Sequence, residues 1–308
     1  MGKVTILNGG VGRELERRGA PFKQPEWSAQ AMIEAPEMVK EVHKAYIEAG
    51  SQVIITNSYA LVPFHLGAAR FNALGAKLAE QSALIAREAI NETGQQAVLI
   101  AGSMPPLFGS YRADLYQPEQ ADDIALPLIT ALNPHIDVWL NETQSLIEEA
   151  LTVKKLIDRI DTDHKPYWVA FTLEDAKPTD SPQLRSGESV VAAVQAMATA
   201  GVDAILFNCS QPEVITQAIE LTQHTLAQLT STSAITKKIN IGAYANAFPP
   251  QPKDAQANSE LNQLRDDLTP AAYLRWAQTW HALGADLIGG CCGIGPEHIQ
   301  RLSDALSK

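Results

Sequence analysis

The chain holds three cysteines, and two of them are adjacent. Cys291 and Cys292 follow the run Leu287-Ile288-Gly289-Gly290 and precede a Gly/Pro turn that opens a helix. Cys209 closes a second apolar run, Ala204-Ile205-Leu206-Phe207-Asn208. Each site puts a thiol just past the carboxyl end of a predicted strand. Three thiolates around one tetrahedral Zn²⁺, with the fourth position open, are the donor set of a catalytic zinc site. Two other readings stand beside it. Free cysteines are often buried as small apolar residues, and a vicinal disulfide is possible, though a reducing compartment opposes it. Adjacent side chains point in different directions and seldom both pack well in a core, which favours metal for Cys291 and Cys292. The expectation is a zinc held by Cys209, Cys291 and Cys292 that binds and activates a substrate thiol.

The elements that must position these thiols alternate along the chain. Short β-rich apolar runs occur at 4–7, 53–56, 97–101, 137–140, 167–171, 204–207, 239–244 and 287–289. Helical stretches lie between and after them: 36–49, 68–92, 118–132, 145–158, 188–200, 212–229, 270–283 and 296–305. The piece from 8 to 35 reads as a loop carrying Trp27. Several helices have Pro at the first position or Gly just past the end. Strands separated by helices of this length must be parallel, with right-handed crossovers. Eight such units predict an α/β fold, a (β/α)₈ TIM barrel, as one domain over residues 1–308. An open doubly wound sheet is the rival, but no Gly-x-Gly-x-x-Gly fingerprint follows the first strand. Helix-to-strand links are brief. The strand-to-helix links 102–117, 172–187 and 246–269 are long, and such loops build the active face of a barrel. All three cysteines fall on that face. Strands six and eight end roughly 10 Å apart, a gap that inward-leaning side chains can close.

Composition narrows the function classes. A formal charge of −11 disfavours nucleic-acid binding, which needs Lys and Arg against phosphates. No run is apolar for the roughly 18 residues of a membrane span, and the first residues lack the apolar core of a signal peptide. A cytoplasmic protein acting on small molecules is expected; oligomeric state is not readable. The seven histidines supply no rival site. His43, His224, His281 and His298 fall in predicted helices, and His65, His135 and His164 in loops.

Taken together, these residues resemble the homocysteine S-methyltransferase family over nearly the whole chain. Gly289-Gly290-Cys291-Cys292-Gly293 with Asn208-Cys209 looks like its zinc signature. Asn8-Gly9-Gly10 with Glu14-Leu15-Glu16, then Trp27-Ser28, Asn57-Ser58-Tyr59, Gly102-Ser103, Asn141-Glu142-Thr143, Phe171-Thr172 and Tyr244-x-Asn246 resemble further family blocks in order. The resemblance implies a (β/α)₈ barrel, zinc on the three cysteines, and methyl transfer from a donor to homocysteine to form methionine. It also implies that Glu142 meets the substrate ammonium.

The chemistry agrees with the residues. A thiol of pKa near 8.5 is only a few per cent ionised at pH 7, and zinc deprotonates it. An electron-rich sulfur can attack the methyl carbon of a sulfonium, and a neutral thioether leaves without a proton. No general acid is needed. Gly9 and Gly10 are expected to let backbone N–H groups approach the substrate or simply to form a tight turn, Asn246 to lie near the metal, and Trp27 to face a sulfonium or to serve in packing. The family usually has Asp before Gly-Gly, and Asn8 stands here. Its carbonyl still accepts a hydrogen bond, but a charge-assisted bond is roughly twice as strong. Either Glu142 carries the ammonium alone or the acceptor is not ordinary homocysteine. The chain ends after the last helix, without folate or cobalamin modules, so S-methylmethionine or S-adenosylmethionine is the expected donor, with dimethylsulfonio compounds or betaine behind. A subunit served by a separate corrinoid protein and a non-catalytic zinc barrel are the alternatives.

Overall fold

Parallel strands surround a closed apolar interior, with helices packed outside them. A computed structural model describes residues 3–176, 181–252 and 263–307. The centres of the links 172–187 and 246–269 lie outside the described residues. The element order is β1 (Thr5–Ile6), α1 (Val11–Arg17), α2 (Ser28–Glu34), α3 (Pro36–Glu48), β2 (Val53–Ile55), α4 (Pro63–Leu66) and α5 (Ala68–Thr93). Then come β3 (Leu99–Met104), α6 (Ala121–Leu132), β4 (Val138–Gln144), α7 (Ile147–Ile160), β5 (Tyr167–Phe171) and α8 (Val190–Thr199). The chain finishes with β6 (Ala204–Asn208), α9 (Pro212–Ser231), β7 (Asn240–Tyr244), α10 (Pro270–Ala282), β8 (Leu287–Ile288) and α11 (Pro296–Leu306).

All strand pairings are parallel, in the order β1-β8-β7-β6-β5-β4-β3-β2. A bridge from Leu7 to Val53 closes β1 onto β2, giving the (β/α)₈ barrel. Side chains alternate across each strand. Val138 and Leu140 of β4, Ala204 and Leu206 of β6 and Leu287 of β8 therefore fill the barrel, where Leu7 and Val53 join them. Their neighbours Trp139, Ile205 and Ile288 face the larger layer between strands and helices. No described helix is long and apolar enough to cross a membrane.

Three departures from the sequence reading bear on the site. The supposed loop around Trp27 contains α1 and α2. Each is seven residues long, too short for a hydrophobic period to register. β4 runs on to Gln144, so Glu142 stands inside the strand rather than beyond it. The polar run Asn141-Glu142-Thr143 hides this extension, and two of its residues, Glu142 and Thr143, line the cavity at the barrel mouth. His65 sits in the single turn of α4 rather than in a loop, and it is buried.

Candidate metal and substrate site

β6 delivers Cys209 and the segment after β8 delivers Cys291 and Cys292. Past Ile288 the chain keeps a ladder-like course between the ends of β1 and β7. Gly289 N–H donates to Ala243 O (3.0 Å), Gly290 N–H to Asn8 O (3.1 Å) and Cys291 N–H to Ala245 O (2.9 Å). Ala247 N–H donates to Cys292 O (2.8 Å), and the Tyr273 hydroxyl donates to Gly289 O (2.7 Å). Gly293, at φ +84°, then turns the chain away, a conformation glycine adopts without steric cost. The outcome overrides the divergence expected of adjacent side chains: the three ligand atoms lie within 4.8 Å of one another. Tetrahedral Zn–S bonds of about 2.3 Å place sulfurs about 3.8 Å apart. The donor set and its spacing therefore fit a zinc ion.

As three free thiols the cluster ionises unevenly. Hydrogen bonds from Cys209 and Cys291 hold Cys292 well below the usual thiol range, while contacts with Cys209 and Cys292, together with burial, push Cys291 well above it. One cation shared by three thiolates removes that conflict.

The surrounding backbone is bent into place. Cys209 has φ +48° and Thr143 has φ +60°, rare for non-glycine residues and an outlier for a β-branched one. Asn208 supports both. Its Oδ1 accepts Thr143 N–H (3.0 Å) and its Nδ2 donates to Thr143 Oγ1 (2.8 Å). The Thr172 hydroxyl donates to Cys209 O (3.3 Å). Trp27 (φ +49°) and Tyr111 (φ +69°) are bent likewise. All four residues line one cavity of about 90 Å³ that contains the three cysteines. Strain gathered at one cavity marks a functional site.

Glu142 points into this cavity and is buried. A register shift between β4 and β5 at Asn141/Gln144 lets the strand turn there. Ser103 Oγ donates to Glu142 Oε1, and Tyr244 OH donates to Oε2 (3.2 Å). Burial pushes the carboxyl up to about 7, against the pull of these hydroxyls. An arriving cation would restore the charged form.

The other residues singled out in the sequence are placed as follows. Trp27 lines the cavity at the start of α2, edge-on to Tyr59 with centroids 6.0 Å apart. Asn8 lines it too, but its amide is engaged within the barrel: Oδ1 accepts Ile55 N–H (3.0 Å) and Nδ2 donates to Gly9 O (2.9 Å). Gly9 and Gly10 line the cavity as well. Gly10 N–H already donates to Ile294 O (3.0 Å). A Cβ on Gly10 would stand 2.5 Å from Cys291 O. The close approach Gly10 permits in this structure is to the cysteine segment. Asn246 is fully buried beside it, accepting Phe248 N–H through Oδ1 (3.3 Å), and is not among the cavity's lining residues. Sequence reasoning gave no role to Tyr59, Tyr111, Tyr244 and Phe248, which supply the aromatic walls. Two of these tyrosines lie in blocks that carried the family resemblance.

Comparison with known proteins decides the family. A model of the family described as homocysteine S-methyltransferase matches residues 5–306. The chain belongs to that family. It is an enzyme of the methyltransferase class. The Escherichia coli homocysteine S-methyltransferase is 30% identical, over 97% of this chain and 94% of the relative. The selenocysteine methyltransferase of Astragalus bisulcatus is 27% identical, over 100% of this chain and 94% of its own length. The metallated form of the homocysteine methyltransferase MmuM from Escherichia coli superposes with a TM-score of 0.76 at 27% identity, over 98% of this chain and 96% of that one.

Proposed function

We propose that this methyltransferase moves a methyl group from a small sulfonium donor, S-methylmethionine or S-adenosylmethionine, to homocysteine, giving methionine. The observation that carries this reading is the meeting of three thiols, all within 4.8 Å, with a buried carboxylate in one aromatic-walled cavity. Cys209, Cys291 and Cys292 would hold zinc, which when bound keeps a substrate thiol deprotonated at neutral pH.

The chain's own residues do the rest. Glu142, fixed by Ser103 and Tyr244, takes the ammonium of homocysteine. Asn8 has both ends of its amide engaged, so Glu142 carries that charge alone. Gly9 leaves room for the acceptor's backbone at the mouth. Asn246 acts indirectly, backing the segment that carries Cys292. Trp27, Tyr59 and Phe248 exclude water and offer ring faces to the sulfonium, an attraction worth roughly 0.5–2 kcal/mol. The substrate sulfur attacks the methyl carbon in line, and a neutral thioether leaves without a proton. That route needs no general acid. Reduced thiols suit a cytoplasmic setting, and one barrel serves both substrates.

The test is methionine formation from homocysteine with a panel of donors, S-methylmethionine first, before and after treatment with a zinc chelator. Turnover that the chelator abolishes and zinc restores supports the reading. Turnover untouched by complete zinc removal overturns it.

A further inference from the structure

Outside the thiol cavity, the described residues include a fully buried cation. The Arg185 side chain is 0% exposed and its partner Asp175 1%. Arg185 Nη2 donates to Asp175 Oδ1 at 3.0 Å and Nη1 to Gln251 O at 3.5 Å. Asp175 also accepts Gln251 N–H (3.1 Å) and Gln211 N–H (3.3 Å). The links after β5, β6 and β7 thus converge on one ion pair. Such a pair adds little net stability, because desolvation offsets the Coulomb gain. Its position requires another reason.

Two contacts lead from Arg185 to the reacting centre. Its guanidinium carbon lies 4.2 Å from the centroid of the Tyr111 ring. Tyr111 is the one described residue lining both the thiol cavity and an outer groove of about 600 Å³ along Arg112, Asp114 and Ser186. The ring is therefore the partition between them. Separately, Arg185 Nε donates to Thr172 Oγ1 (3.2 Å), whose hydroxyl reaches Cys209 O (3.3 Å).

We propose that Arg185 is a positioning residue: it sets the Tyr111 wall and, through Thr172, the backbone of Cys209, and so controls how homocysteine docks. This rests on the reading of the cysteines as a zinc site that takes homocysteine. A planar guanidinium can stack on the ring and donate through Nε at once. A lysine ammonium can keep the pair with Asp175 but, as a compact point charge, cannot make both of those contacts at the same time.

The test uses the Co²⁺-loaded protein, with homocysteine binding followed by thiolate-to-cobalt absorption and unfolding followed by heat. Arg185→Lys is expected to melt close to wild type yet bind homocysteine about tenfold more weakly. Tyr111→Leu should show a similar loss, and the double variant less than the product of the two, because both changes remove the same wall. Wild-type affinity in Arg185→Lys, or losses that multiply in the double variant, overturns the proposal. If Arg185→Lys fails to fold, Thr172→Val carries the test. It should shift the cobalt spectrum before homocysteine is added, and an unchanged spectrum with unchanged affinity counts against the role. A wild-type spectrum that ignores homocysteine overturns the site reading, and this proposal with it.

Discussion

The Asn208 carboxamide holds Thr143 from both sides, accepting its N–H at 3.0 Å and donating to its hydroxyl at 2.8 Å. Both partners border the site directly: Cys209 follows Asn208, and Glu142 precedes Thr143. One amide thus fixes the relation between a metal ligand and the buried carboxylate. Asn208→Ala would leave the Thr143 N–H buried and unpaired, at a cost of about 2–4 kcal/mol for the two bonds. Denaturant unfolding should register that loss. Zinc affinity should fall about 10–100-fold, the range for an outer-sphere partner, as measured by competition with a chromogenic chelator.

Each cysteine should be needed for metal. Cys209→Ser, Cys291→Ser and Cys292→Ser are each expected to purify with well under one zinc per chain and to lose more activity than the ~10–100-fold typical of an outer partner. Elemental analysis alongside turnover checks this. A serine variant with full zinc and near-native turnover would remove that cysteine from the ligand set.

Glu142→Gln keeps the shape and removes the charge that an ammonium seeks. A hydrogen bond to a charged group contributes about 1.5–3 kcal/mol, against about 1 for a neutral pair. The KM for homocysteine should rise about tenfold while kcat changes little, since the lost contact exists in ground and transition states alike. A selective fall in kcat would instead place Glu142 at the reacting atoms.

Stability should respond to pH through buried groups of opposite sign. Burial lowers His43 and His65 to about 4. Between the unfolded value near 6.5 and pH 4 the unfolded chain binds protons that the folded one refuses, so stability falls as pH drops through that window. Each contributes about 3 kcal/mol. Glu149, which accepts Leu107 N–H (2.7 Å), is raised to about 7 by burial. Its contribution is full below the unfolded carboxyl value and is lost as pH rises through 7. His43→Leu should therefore lose less stability than wild type on going from pH 6.5 to 4. Glu149→Gln should gain about 2–3 kcal/mol over wild type at pH 8. Chemical denaturation across pH reads both.

Much of this was legible in the residues. Eight apolar runs, each followed by a helical stretch, led to the barrel because period and punctuation persist through long elements. The paired cysteines pointed to metal because two thiols side by side are hard to explain as core. What escaped notice lacks such a signal. Helices α1 and α2 are too short to show a period. The extension of β4 is polar, with Glu142 and Thr143 turned to the cavity, so the pattern that announces strands stops early. Arg185 and Asp175 are ten residues apart on one link, and nothing in that spacing says both will be enclosed. Nothing in the spacing of Gly10 says that its missing side chain makes room for Cys291. Local pattern reports which elements form; it does not report which atoms meet across the barrel mouth.

Strand β8 is only Leu287–Ile288, and it meets each neighbour over two residue pairs, whereas β6 meets β5 over four and β7 over five. One shore of the metal centre is therefore firm bedrock and the other a narrow spit. An ion gripped from both shores is a mooring line as well as a reagent, tying the last stave and the α11 helix behind it to the rest of the ring. Chelation should then show first as faster amide exchange in the final twenty or so residues, ahead of any global unfolding.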